Sequence, residues 1–82
     1  MVKVGDKLTF KYGAHFPTKV GTVRSIVPSS YSKGGAFADV LISKETDETG
    51  NSFSEIATAD IGDIMLPGET TVNGSPIGVF LV

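Results

Sequence analysis

The chain of 82 residues has no cysteine, no tryptophan and no glutamine, and it has one histidine. Without cysteine there is no disulfide framework and no thiolate metal site. That absence fits a reducing compartment. A single histidine, His15, leaves a zinc site short of ligands, since no second donor lies two or four residues away. No apolar run approaches the ~20 residues of a membrane span. The first residues, Met1-Val2-Lys3-Val4-Gly5-Asp6, contain no apolar core segment of a signal peptide. The expected location is therefore cytoplasmic, with no membrane partner. Nucleophile elbows, phosphate-binding loops and Gly-x-Gly-x-x-Gly are all missing, so no enzymatic activity, cofactor or small-molecule substrate is expected. A chain this short has room for one domain and one core.

What is present leans toward β structure. Val, Ile and Thr number nine, six and eight, and Leu and Ala together only nine. Stiff β-branched side chains suit a pleated, half-buried surface. Ten glycines and four prolines break the chain at short intervals, as turns of a small all-β protein would.

Along the chain, Leu8, Phe10 and Tyr12 alternate with Lys7, Thr9 and Lys11, a strand with one wet face. A loop follows, through Gly13, His15, Phe16 and Pro17. Residues 20–27 form a second strand in which Val23 and Ile26 are three apart, so it either carries a bulge or buries both faces. A polar loop, 29–35, carries Tyr31 and Lys33. The third strand, 36–43, is apolar on both faces and central. Residues 44–51 form a solvated turn and 53–56 a short fourth strand. A 3₁₀ turn is expected over 58–60, capped by Thr58. A fifth strand is expected over 61–66, although Ala57, Ile61, Ile64 and Met65 also fit a short helix across 55–65. Pro67-Gly68 reads as a turn. Residues 70–72 and 76–82 read as a hairpin around Asn73-Gly74. The expected core is Leu8, Phe10, Val23, Ile26, Val40, Ile42, Ile56 and Ile61.

Val4-Gly5-Asp6, Gly13, Gly21-Thr22-Val23 and Ile26, Val40 and Asp60-Ile61 together resemble the KOW type of SH3-like β-barrel, over about residues 4–66. The family pattern has a Gly-Asp before the first strand and a Gly-x-Val opening the second. The resemblance implies a small five-stranded barrel over 1–66, with residues 67–82 as an extra C-terminal hairpin or arm on the same domain. It also implies nucleic-acid binding. Two departures stand against that carry-over: the loop at Ala14-His15-Phe16-Pro17 is not basic, and the tail after Leu66 has no family counterpart.

Charge is divided along the chain. Residues 1–34 hold six cations and one acid, hence +5, and residues 35–82 hold one cation and eight acids, hence −7. Either strands of the two halves interleave and cancel, or a basic face stands apart from an acidic one. The acidic turn Glu45, Asp47, Glu48, Gly50, Asn51 fails as a calcium loop, because the twelfth position is Ile56. Asn73-Gly74-Ser75 reads as a turn rather than a glycosylated site.

The residues best suited to binding are Lys11, Tyr12, His15, Phe16, Lys19, Arg24, Tyr31 and Lys33, where aromatics lie among cations. In the alternative reading, Tyr12 and Phe16 close the barrel end as core. Ile77, Val79, Phe80, Leu81 and Val82 are the most apolar stretch. A strand of consecutive apolar residues needs cover on both faces. That cover comes from the monomer itself or, as we expect, from a second chain in a homo-oligomer. Two function classes result. One is a non-enzymatic protein-interaction or self-assembling structural module of the kind found in phage accessory proteins, favoured by the pI of about 5.1. The other is a KOW-like nucleic-acid-binding module.

Overall fold

The computed structural model describes residues 2–13, 15–66 and 77–82. Its elements are β1 (Lys7–Lys11), β2 (Lys19–Pro28), β3 (Ala36–Thr46), β4 (Ser52–Asp60), a 3₁₀ turn η1 (Ile61–Asp63), β5 (Ile64–Met65) and β6 (Gly78–Leu81). The fold is all-β, and no α-helix occurs among the described residues, so residues 55–65 do not form one. The strands make one six-stranded sheet in the order β4-β3-β2-β1-β6-β5, with β4 and β5 as its unjoined ends rather than a closed barrel. Among the described residues no helix is long and apolar enough to cross a membrane.

The core lies on one face of this sheet. Leu8, Phe10, Val23, Ala36, Ala38, Val40 and Ala59 are buried, and among the described residues no polar side chain is buried with them. Strand register explains the selection. Val23 pairs with Val40 and Ile26 with Ala38, and the register shifts between Val23 and Ser25. A bulge at Arg24 thus returns Ile26 to the core face although it is three residues from Val23. Ile26, Ile42 and Ile61 pack against this core while partly exposed. Ile56 does not belong to it. Its neighbour Ala57 faces inward opposite Val40, so Ile56, opposite Leu41, falls on the outer face and is 38% exposed.

Two glycines shape the start of the sheet. Gly5 has φ 94°, a left-handed conformation that suits glycine, and its N–H donates to the Val23 carbonyl at 2.9 Å while Val23 N–H returns a bond to Asp6 at 2.8 Å. Gly21 lies opposite Leu8 on the core face, where a Cβ would come within 2.5 Å of Val40 Cγ1 and 2.9 Å of the Leu41 carbonyl.

Differences from the sequence reading concentrate after residue 52. β4 is nine residues long, because Ala57 and Ala59 alternate with Thr58 and Asp60 at the period of a strand. The 3₁₀ turn begins at Ile61, and Asp60 rather than Thr58 caps it. The expected fifth strand shrinks to two residues. The C-terminal segment is not a peripheral arm over Gly78–Leu81: β6 pairs antiparallel with β1 and parallel with β5. Val79 and Leu81 stand opposite Phe10 and Leu8 on the core face, while Phe80 stands opposite Thr9 on the other face and is itself buried. The turns expected at Pro67-Gly68 and Asn73-Gly74, with the first strand of that hairpin, lie outside the described residues.

Candidate functional site

The expected binding residues do not gather in one place. Tyr12, His15 and Phe16 precede β2, whereas Tyr31 and Lys33 follow it. A ten-residue strand is about 30 Å long, so the two loops sit at opposite ends. In the first loop, the Tyr12 ring lies 6.2 Å from that of the buried Phe10, so Tyr12 covers one end of the core while half exposed. Phe16 is 63% exposed and is not a core plug. Lys11 holds its ammonium 5.3 Å from the Phe80 ring. His15 is exposed, and among the described residues nothing hydrogen-bonds to it.

Three of the expected phosphate-binding cations are already engaged. Lys19 Nζ lies 2.6 Å from Glu55 Oε2. Arg24 donates Nη2 and Nε to Asp39 Oδ2 at 2.8 and 3.2 Å. Lys33 Nζ meets Asp63 Oδ1, which raises the Lys33 pKa through that hydrogen bond and the charge behind it. Each partner comes from the acidic half of the chain. The interleaved strands therefore cancel charge locally.

The 29–35 loop is held by a dense set of hydrogen bonds, and its anchor is Asp60. Desolvation opposes ionisation of this carboxyl. The Gly62 N–H, the Ser32 hydroxyl and the Lys33 and Gly34 N–H groups outweigh it and hold its pKa far below the usual carboxylate range. The bonds run at 2.8 Å from Gly62, 2.7 Å from Ser32, 2.7 Å from Lys33 and 3.1 Å from Gly34. One side chain thus caps η1 and staples the loop to it. Backbone contact completes the joint, since a Cβ on Gly34 would collide with Gly62 and Ile61. Tyr31, at the loop tip, is 92% exposed. Neither Asp60 nor Ser32 was read as functional from sequence. The available signal is Asp60-Ile61-Gly62, an Asx-turn pattern whose carboxylate bonds a backbone N–H two residues on.

Beside this loop lies an apolar cleft of about 230 Å³, lined by Val2, Gly34, Ile61, Ile64, Met65, Leu66 and Leu81. Small-molecule sites run to roughly 300–1,000 Å³. This cleft is closer in size to a seat for one apolar side chain.

The acidic turn is self-contained. Asp47 Oδ1 accepts from Thr49 N–H at 2.9 Å, the Thr49 hydroxyl at 2.8 Å and Asn51 N–H at 2.9 Å. The Thr49 hydroxyl, followed by Asn51 N–H, holds that carboxyl below its usual pKa. Among the described residues no group of three or more His, Cys, Asp or Glu side chains could hold a metal ion. At the C-terminus Ile77 and Val82 are 47% and 68% exposed, flanking the covered Phe80. Compared with family models, curated proteins and solved structures, the chain matches none.

Proposed function

We propose that the chain is a non-enzymatic interaction and assembly module on an SH3-like sheet, whose partner is a protein or a second copy of itself rather than nucleic acid. The observation that carries this reading is the pairing of Lys19, Arg24 and Lys33 with Glu55, Asp39 and Asp63. A phosphate contact at any of these cations must first compete with its carboxylate, and little net positive field remains to draw a polyanion. Apolar groups are what the surface offers instead: Tyr31 on a stapled loop, the adjoining cleft, and Phe16, Phe53 and Leu66, each more than half exposed. An exposed aromatic on a stapled loop near an apolar cleft suits a protein interface, where aromatic anchors dominate binding energy. The order of four strands, a 3₁₀ turn and a short fifth strand supports the SH3-like kinship. On this reading, the sixth strand is an addition placed between the first and the fifth.

Titration of the whole chain with fluorescent single-stranded RNA and DNA at low salt tests the choice of partner. The expected result is no saturable binding. Binding that falls with salt by about 0.7 in log–log slope per contacted phosphate would overturn the proposal in favour of the KOW-like nucleic-acid module.

A further inference from the structure

β4 is a nine-residue edge strand, Ser52–Asp60, that pairs only with β3. Every second residue of such a strand directs its N–H and C=O away from its neighbour, and among the described residues those outward groups have no partner. Natural edges are usually blunted by proline, lysine, a bulge or a short strand. β4 has none of these: the nearby register shift, between Leu41 and Ser43, is on β3. Its one charge short of the final residue is Glu55, and Lys19 of the same chain neutralises it at 2.6 Å. β5, at the other end of the sheet, is two residues long and offers no comparable template.

We infer that β4 is a homodimerisation edge, pairing antiparallel with β4 of a second copy about a two-fold axis at Ile56. This deepens the assembly reading above and rests on it. Ile56 is the central residue of the strand, so this register uses its full length. Residue numbers that pair across the axis then sum to 112. Ile56 meets Ile56 of the second copy, two exposed apolar side chains on the outer face. Phe53, 56% exposed at the end of the β3–β4 ribbon, falls opposite the small Ala59 of the second copy. Glu55 falls opposite Ala57 and Asp60 opposite Ser52, so no like charges oppose each other directly, an arrangement that would be destabilising. An axis at Glu55 would set the two carboxylates face to face. The Ile56 register forms about eight to ten backbone hydrogen bonds, depending on which alternate residues point outward. That matches the roughly ten of a standard protein interface. Little charge opposes the approach of a second copy, because each copy pairs Glu55 with its own Lys19.

Light scattering on the intact chain across micromolar concentrations tests the inference. The expected result is a mass rising from 8.6 kDa to twice that value. Ile56→Lys and Ile56→Glu should each be monomeric at concentrations where the wild type is dimeric, and an equimolar mixture of the two should dimerise again. The mixture also guards against misfolding, because unfolded chains would not regain a defined dimer. Hydrogen exchange on the wild type supplies a measurement without a variant, with β4 amides gaining protection as concentration rises. A wild type that stays monomeric, with β4 exchange independent of concentration, overturns the inference. So does an Ile56→Lys chain that still dimerises, an outcome that leaves self-assembly standing through another surface.

Discussion

Gly21 packs close against Val40 in the core, which gives a quantitative test of that packing. Gly21→Ala places a methyl 2.5 Å from Val40 Cγ1, 2.8 Å from Ile42 Cδ1 and 2.9 Å from the Leu41 carbonyl. The first two neighbours are side chains in a packed interior, and the third is backbone. Overpacking of this kind costs about 1–3 kcal/mol. Val40→Ala removes two methyl-sized groups from a residue with 0% exposure. At about 0.8 kcal/mol each, the transfer loss is about 1.6 kcal/mol. A residual cavity of about 40 Å³ at about 24 cal/mol per Å³ adds about 1 kcal/mol. A chain of this size has only about 4–12 kcal/mol of stability in all, so either change lowers the midpoint visibly.

The two effects should not add. In the double variant the new methyl occupies space that Val40 has vacated, so the cavity and the Cγ1 clash shrink together. The contact with the Leu41 carbonyl persists, so relief is partial. The double variant should therefore cost about 1 kcal/mol less than the sum of the singles, well beyond the ~0.3–0.5 kcal/mol scatter of independent sites. Urea unfolding followed by circular dichroism measures all four corners of the cycle. Strict additivity, or a Gly21→Ala chain as stable as the wild type, would refute the close approach of β2 to β3.

Three further outcomes are expected. Asp60 is held below the ~3.9 of an unfolded aspartate, so its stabilising contribution is complete above about pH 4 and is lost as pH falls toward its folded value. Asp60→Asn should lower the thermal midpoint at neutral pH and flatten the acid side of the stability profile, leaving the smaller decline due to Asp47, whose shift has the same sign. Tyr31→Ala should change unfolding stability by less than about 0.5 kcal/mol, since its side chain is almost wholly in water; a large loss in a denaturant titration would show that Tyr31 serves the fold. Lys11→Ala should cost about 0.5–1 kcal/mol through its lost contact with the Phe80 ring. Lys11→Met, which keeps an apolar stem over the ring, should lose less in the same titration; no loss at all in Lys11→Met would deny the charge a role.

The first half of the fold was legible because its signals are local. Leu8 and Phe10 alternate cleanly, Gly5-Asp6 marks a turn, and the three-residue gap from Val23 to Ile26 leaves a bulge or burial of both faces, between which the register chooses the bulge. Beyond residue 52 the signals are ambiguous at short range. Ala57 and Ala59 have the period of a strand, yet Ala57, Ile61, Ile64 and Met65 have the period of a helix. Pairing with β3 resolves the choice, and pairing is not written in the segment itself. The partners of the cations are hidden from the sequence for a related reason. Lys19, Arg24 and Lys33 form a basic cluster in sequence, but their partners lie 36, 15 and 30 residues further on. Only the antiparallel arrangement brings them together.

The C-terminal strand shows how far the argument from alternation reaches. Four consecutive apolar residues require cover on two faces, and that reasoning holds for Val79-Phe80-Leu81-Val82. Its cover comes largely from within the chain. Val79 and Leu81 complete the core beside Phe10 and Leu8, while Phe80 lies on the opposite face under the Lys11 ammonium, with Met65 beside it in register. A segment placed between β1 and β5 is no longer a separable arm. β5 touches the sheet only through β6, so a chain ending at Leu66 would lose two ladders at once. Loss of assembly on such truncation would report loss of folding, not removal of an interface. The edge we propose for assembly lies instead at the far end of the sheet. There the outer edge of β4 has no strand beside it among the described residues, and the exposed Phe53 and Ile56 stand on a strand with only one neighbour.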